Sequence, residues 1–197
     1  GDLLDHLGPQ DVLAFTGSAV TGATLRGTQG PVSASSRINV EADSLNSAVI
    51  GPDADRGSEV YLAAVRNIVT EMTQKAGQKC TAIRRILVPE SLVEALEEDV
   101  TAELDTYTIG NPTAPGVRMG PLATADQLKD YRMGVATLSE EARIVYGSPT
   151  EVSVVGVPEN TGFFAAPVLL CAEDPETASH VHNLEVFGPV ATLLTYD

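Results

Sequence analysis

The chain has 197 residues, 43% of them hydrophobic and 20% charged, enough apolar material for a packed core and too little charge for a disordered chain. Twelve Lys and Arg against 27 Asp and Glu leave a net charge of −15, a surface that repels phosphate backbones and argues against nucleic acid as a partner. No stretch approaches the roughly 20 apolar residues of a membrane helix, no signal-peptide pattern opens the chain, and two cysteines without CxxC spacing argue against a disulfide framework or structural zinc site. A cytoplasmic protein with reduced thiols is the expectation.

Elements alternate in type, which predicts an α/β fold. Asp11 to Phe15 reads as a short buried strand that runs through Thr16-Gly17 to Ser18, a plausible N-cap for a helix reaching about Arg26. Arg37 to Glu41 alternates polar and apolar residues and reads as a strand, as does Asn46 to Ile50 before Gly51-Pro52. Val60, Tyr61, Ala64, Val65, Ile68, Val69 and Met72 recur at helical spacing, behind Asp53 and Asp55. Gly77 ends that helix, and Ile83 to Val88 is a strand stopped by Pro89. Ser91 is placed to cap a second helix with Leu92, Val93, Leu96 and Val100. A Gly/Pro-rich connection over 110–121 leads to a third helix, about Ala123 to Leu138. Short strands are expected near Ile144, at Val152 to Val157, at Val168 to Cys171 and at Val190 to Leu194. The chain starts and stops inside regular structure, which suggests a piece of something larger.

Four places could carry chemistry. Gly77-Gln78-Lys79-Cys80-Thr81-Ala82 lies between an amphipathic helix and a buried strand, so its turn could expose Cys80 among backbone N–H groups that would hold an oxyanion. Lys79 beside it would favour a thiolate. A lone cysteine is more often a small core hydrophobe. Phe15-Thr16-Gly17-Ser18 is strand, small residues and helix start, the physical recipe for a phosphate, though it lacks the full G-x-G-x-x-G pattern. Glu41 ends a strand with apolar Ile38 and Val40, where a partly desolvated carboxylate could serve as a general base or simply be solvated. In Glu185-Val186-Phe187-Gly188-Pro189 a rigid turn follows an aromatic residue, and Glu185 could bond a sugar hydroxyl. Lys79, Arg84 and Arg85 form a basic run that could meet an anion or be a solvated strand edge. Cys171 reads as a core strand residue, and His180 and His182 as flanking a solvated helix end.

Taken in order, these segments resemble the aldehyde dehydrogenase family over nearly the whole chain. The run Val40-Glu41-Ala42-Asp43-Ser44-Leu45-Asn46 departs from the Glu-Leu-Gly-Gly-Lys of most members. With Glu71 through Arg85, it is similar to semialdehyde dehydrogenases of phenylacetate and benzoyl-CoA degradation, which act on CoA-linked semialdehydes; one of them is fused to an enoyl-CoA-hydratase-like domain. The resemblance implies a three-layer α/β/α catalytic domain with a largely parallel sheet. Residues 1–40 would be the remnant of an NAD(P)-binding domain and 41–197 a C-terminally incomplete catalytic domain. It implies Cys80 as nucleophile, Glu41 as base, Gly17 and Ser18 near the pyrophosphate of NADP or NAD, and Glu185 and Phe187 near the nicotinamide ribose. It also implies an aldehyde substrate and a homo-oligomeric parent, with the isolated chain inactive or weakly active. Two alternatives stay open: a cofactor-independent thiol hydrolase or acyltransferase, which would need His6, His180 or His182 near Cys80, and a non-catalytic relative that only binds a ligand or partner.

Overall fold

The computed structural model describes residues 2–158 and 161–197, and divides into two compact units, Gly1–Ser44 and Leu45–Asp197. In the first, strand β1 (Val12–Gly17) leads into helix α1 (Ala19–Arg26), a short helix α2 (Gln29–Ala34) and strand β2 (Arg37–Ala42). β1 and β2 pair in parallel, with Thr16 opposite Glu41 and Gly17 opposite Ala42. Ser18 is the N-cap of α1, its Oγ accepting from the Thr21 N–H at 3.2 Å. Gly22 of α1 packs so tightly on β2 that a Cβ there would lie 2.5 Å from Val40 Cγ1.

The second unit opens with β3 (Asn46–Val49) and α3 (Glu59–Thr73), followed by β4 (Ile83–Pro89) and α4 (Val93–Leu104). A short parallel pair, β5 (Thr108–Ile109) and β6 (Val117–Met119), precedes α5 (Ala125–Leu138) and β7 (Ala142–Tyr146). β8 (Val168–Ala172), α6 (Ser179–Asn183) and β9 (Val190–Tyr196) complete it. The main sheet has five strands in the order β3-β4-β9-β8-β7, all neighbours parallel except β7 against β8.

Side chains of one strand alternate between the two faces of a sheet. In β8, Val168, Leu170 and Ala172 join a cluster with Tyr131, Val135 and Leu138 of α5. Leu169 and Cys171 point the other way, into a cluster with Tyr61, Val65, Ile68 and Met72 of α3 and Leu96 and Val100 of α4. β9 alternates likewise, Val190 and Leu194 on one side and Ala191 and Leu193 on the other. Helices cover both faces, so the unit is the expected three-layer α/β/α arrangement, and its core strands read as continuous apolar runs for that reason.

Several local expectations change. Ser58, which lies between Asp53 and Asp55 and the helix, caps α3, accepting from the Tyr61 N–H at 3.2 Å. Ser91 lies inside a 3-10 turn, Glu90–Leu92, and the N-cap of α4 is Leu92. The expected strand at 152–157 does not form: Val155 makes one parallel bridge to Gly110, and Gly156 turns the chain at φ 70°. The bridge runs along the end of β5, the Val155 N–H donating to Ile109 O and the Asn111 N–H to Val155 O, each at 2.9 Å, and goes no further. No helix among the described residues is long and apolar enough to cross a membrane.

Candidate active site

α3 ends at Thr73, and the chain then turns back through Lys75, Ala76 and Gly77, all with left-handed backbone at φ 54°, 52° and 70°. Left-handed non-glycine residues cost about 1–2 kcal/mol each, and such strain gathers where structure overdetermines it. The turn that follows is closed by the Ala82 N–H donating to Lys79 O at 3.1 Å, and it leaves Cys80 exposed at its tip. Asn46, the first residue of β3, steadies it: its Nδ2 donates to Cys80 O at 2.8 Å and to Ala82 O at 3.2 Å.

Lys79, the neighbour expected to favour a thiolate, has an ion pair of its own. Its ammonium bonds Glu71 at 2.7 Å and Gln74 at 2.9 Å, so Glu71 neutralises it. Arg84 and Arg85 are neither a solvated strand edge nor an anion patch. β4 lies between β3 and β9, and Arg84 is only 5% exposed. Its Nη1 donates to Gly188 O at 2.7 Å and its Nη2 to Gly77 O at 2.8 Å. Burial weakens the Arg84 guanidinium's hold on its proton, while the carboxylates of Glu185 and Glu71 oppose that. Arg85 donates to Leu45 O at 2.6 Å.

Glu185 is half-buried and Phe187 is 38% exposed. The Phe187-Gly188 turn packs on α5, where a Cβ at Gly188 would meet the Tyr131 ring at 2.5 Å. Beside it lies an open groove of about 410 Å³ lined by Phe187, Gln78, Lys75, Gln127, Gly120 and Pro121. Gln78 Oε1 accepts from the Ala123 N–H at 3.0 Å. Its Nε2, and Oε1 of Gln127, are buried atoms with no hydrogen-bond partner among the described residues. One is a donor and the other an acceptor, and a buried polar atom left without a partner is costly. Gln127 and Asn46 were not singled out as site residues by sequence reasoning, Gln78 stands only inside the Gly77–Ala82 run, and Arg84 was read only as part of a basic run.

Gly77 binds the two turns together. A Cβ on it would lie 2.1 Å from Gly188 O and 2.7 Å from Pro189 N, at a φ of 70° that alanine adopts poorly. Gly77→Ala is expected to lower stability by about 2 kcal/mol or more and to slow alkylation of Cys80, read from a urea midpoint and a labelling rate. An unchanged midpoint and rate would show that the contact is not needed.

In the first unit, Glu41 is exposed on β2, which among the described residues pairs only with β1. Gly17 ends β1, and Ser18 Oγ also lies 2.9 Å from Thr21 Oγ1. The Ala19 N–H of α1 donates to Asp43 Oδ1 at 3.0 Å, and Asp43 has left-handed backbone, φ 49°. Asp43 places a carboxylate at the helix start.

Cys171 is 7% exposed, and burial pushes its thiol up, with Glu97 adding to the effect. His182 Nε2 faces Pro175 O at 2.7 Å and its Nδ1 faces Arg85 at 3.5 Å, so Nε2 carries the proton and both ring nitrogens are engaged. The His180 ring lies 3.7 Å from Glu140. Neither arrangement suits the histidine-assisted thiol alternative.

The aldehyde dehydrogenase family model matches residues 3–197. The chain is 46% identical over 195 residues to a 3,4-dehydroadipyl-CoA semialdehyde dehydrogenase of Aromatoleum evansii, covering 99% of this chain and 38% of that protein. It is 29% identical to a hydroxyisobutyraldehyde dehydrogenase of Mycolicibacterium austroafricanum, covering 93% and 34%. Among solved structures, a gamma-glutamyl-gamma-aminobutyraldehyde dehydrogenase of Burkholderia cenocepacia matches with a TM-score of 0.82 at 27% identity, over 100% of this chain and 37% of that one. An aldehyde dehydrogenase of Pseudomonas syringae in complex with NAD+ and octanal matches with a TM-score of 0.82 at 26% identity, over 98% and 37%. The chain thus spans little more than a third of the length of these relatives. With the family model matched along nearly all its residues, the chain belongs to the aldehyde dehydrogenase family.

Proposed function

We propose that the protein oxidises an aldehyde, preferentially a CoA-linked semialdehyde, to the carboxylic acid with NADP or NAD, using Cys80 as nucleophile and Glu41 as base. The observation that carries this is an exposed cysteine on a turn pinned by Asn46 and Arg84, beside a groove lined by Phe187, Gln78 and Gln127. The 46% identity to a CoA-semialdehyde dehydrogenase supports the substrate class. In this reading the first unit is part of the cofactor-binding domain and the second is the catalytic domain.

The second unit's residues fit a nicotinamide cofactor. Phe187 offers an apolar face, and the unpartnered Gln78 Nε2 and Gln127 Oε1 offer a donor and an acceptor to a ribose or carboxamide. Glu185 would accept from the ribose. Gly17 and Ser18 would meet the pyrophosphate. The Ala19 N–H is already taken by Asp43 and the Ser18 hydroxyl donates to Thr21 Oγ1, so a pyrophosphate there would have to exchange one of these bonds.

The steps follow from nucleophile and base. The Cys80 thiolate attacks the aldehyde carbon, forming a C–S bond and an oxyanion that turn N–H groups stabilise. A nicotinamide held by Phe187, Gln78, Gln127 and Glu185 would supply the acceptor for the hydride that must leave the Cys80-bound carbon to give a thioester. Glu41 then takes a proton from water as it attacks the thioester carbon, and the C–S bond breaks to return the Cys80 thiolate and release the acid.

The test uses the full-length protein with a CoA-linked semialdehyde and the free semialdehyde of the same chain length, each with NADP and NAD. Aldehyde-dependent reduction is expected, with kcat/KM at least about tenfold higher for the CoA-linked substrate, since binding of the remote group can be used at the reacting centre. Equal values would remove the CoA preference alone. No reduction with either cofactor, or thioester hydrolysis without one, would overturn the function.

A further inference from the structure

We propose that Arg84 is a positioning residue that holds the Cys80 turn and the Phe187 turn in one fixed relation, so that nucleophile and groove are set by the same guanidinium. The inference rests on the thiol-site reading above and deepens it.

The geometry is that of a two-pronged staple. Nη2 takes the Gly77 carbonyl, seven residues before Arg84, where the nucleophile turn opens. Nη1 takes the Gly188 carbonyl, 104 residues on, where the Phe187 turn closes. The guanidinium carbon lies 5.7 Å from the centre of the Phe187 ring, within cation–π reach. Gly77 and Gly188 themselves touch, backbone to backbone. A planar fork can hold two carbonyls at fixed separation, whereas an ammonium is a point donor with no such fork.

The position of Arg84 is costly unless it is used. A buried charge must be compensated, and its Nε has no hydrogen-bond partner among the described residues. A neutral side chain would fill β4 more cheaply. What Arg84 adds is a link between two turns that Asn46 does not provide, since Asn46 reaches only the Cys80 side. Phe187 lines the groove beside Gln78, so any slippage between the turns moves the groove wall relative to the thiol. A displacement of about 1 Å can cost on the order of 100-fold in rate.

The experiment follows iodoacetamide labelling of both cysteines by mass spectrometry, from pH 5 to 9, in wild type, Arg84→Lys and Arg84→Met, with steady-state kinetics alongside. Cys171, buried on β8, reports whether each variant is folded. In Arg84→Met we expect Cys171 still protected, Cys80 labelling slowed about tenfold with a displaced pH profile, and kcat/KM down by about 10- to 100-fold, part of it in KM for the cofactor. Arg84→Lys should fall between, because it meets one carbonyl at a time. Folded variants with the wild-type pH profile and cofactor KM would overturn the proposal. So would exposure of Cys171 in both variants, which would make Arg84 a folding residue. If wild-type Cys80 labels no faster than Cys171, the thiol site itself fails and the proposal falls with it.

Discussion

Replacing Cys80 by alanine is expected to cut aldehyde-dependent cofactor reduction by about 10,000-fold or more, since the covalent route is then closed. The thiol is exposed at the tip of its turn, and no core cluster includes it. Its loss should therefore leave the thermal midpoint where it was. Binding of the cofactor, followed by fluorescence titration, should also survive, because Phe187, Gln78 and Gln127 stay in place. Activity within tenfold of wild type would mean that another group attacks the aldehyde. A fall in midpoint of several degrees would mean that Cys80 has a structural part the fold does not suggest.

Glu41→Gln separates the two halves of the reaction. Glutamine keeps the size and hydrogen-bonding of the carboxylate but cannot take a proton near neutral pH. Loss of a general base costs about 100- to 10,000-fold. If Glu41 activates water, that loss falls on hydrolysis alone. A stopped-flow burst of about one reduced cofactor per site should remain, followed by a stall. The acyl group should then be found on the tryptic peptide holding Cys80. A small thiol or hydroxylamine should restart turnover by releasing the thioester. Loss of the burst together with turnover would place Glu41 before the oxidation step, as the base for the Cys80 thiol, and would overturn its assignment to water. Glu41 is exposed on β2, so stability should not change.

What could be read from the chain and what could not divide along sequence distance. α3 was legible because its apolar residues recur at helical spacing over four turns, and β8 and β9 because strands buried on both faces are continuous apolar runs. The cap of α3, Ser58, was not named, because Asp53 and Asp55 before it carry the more conspicuous signal of charge. Alternation at 152–157 looked like a strand, but pairing depends on a neighbouring edge that local pattern does not reveal. The site was half legible. Cys80, Glu185 and Phe187 stand in compact motifs, whereas Asn46 and Arg84 act through carbonyls 34 to 104 residues away. The ion pair of Lys79 with Glu71 of α3 was also out of reach, because it closes across the turn that ends the helix.

β8 and β9 each belong to both core clusters, one alternate set of side chains on either side of the sheet. The two layers of helices therefore have no separable foundations. Loosening α5 disturbs the strands on which α3 and α4 rest, and the converse holds. Unfolding of the second unit should then be a single all-or-none transition. The nucleophile turn hangs between α3 and β4, so it has no partly melted state of its own to pass through. Heat should extinguish catalysis and the sheet's circular dichroism together, with no gently declining intermediate regime.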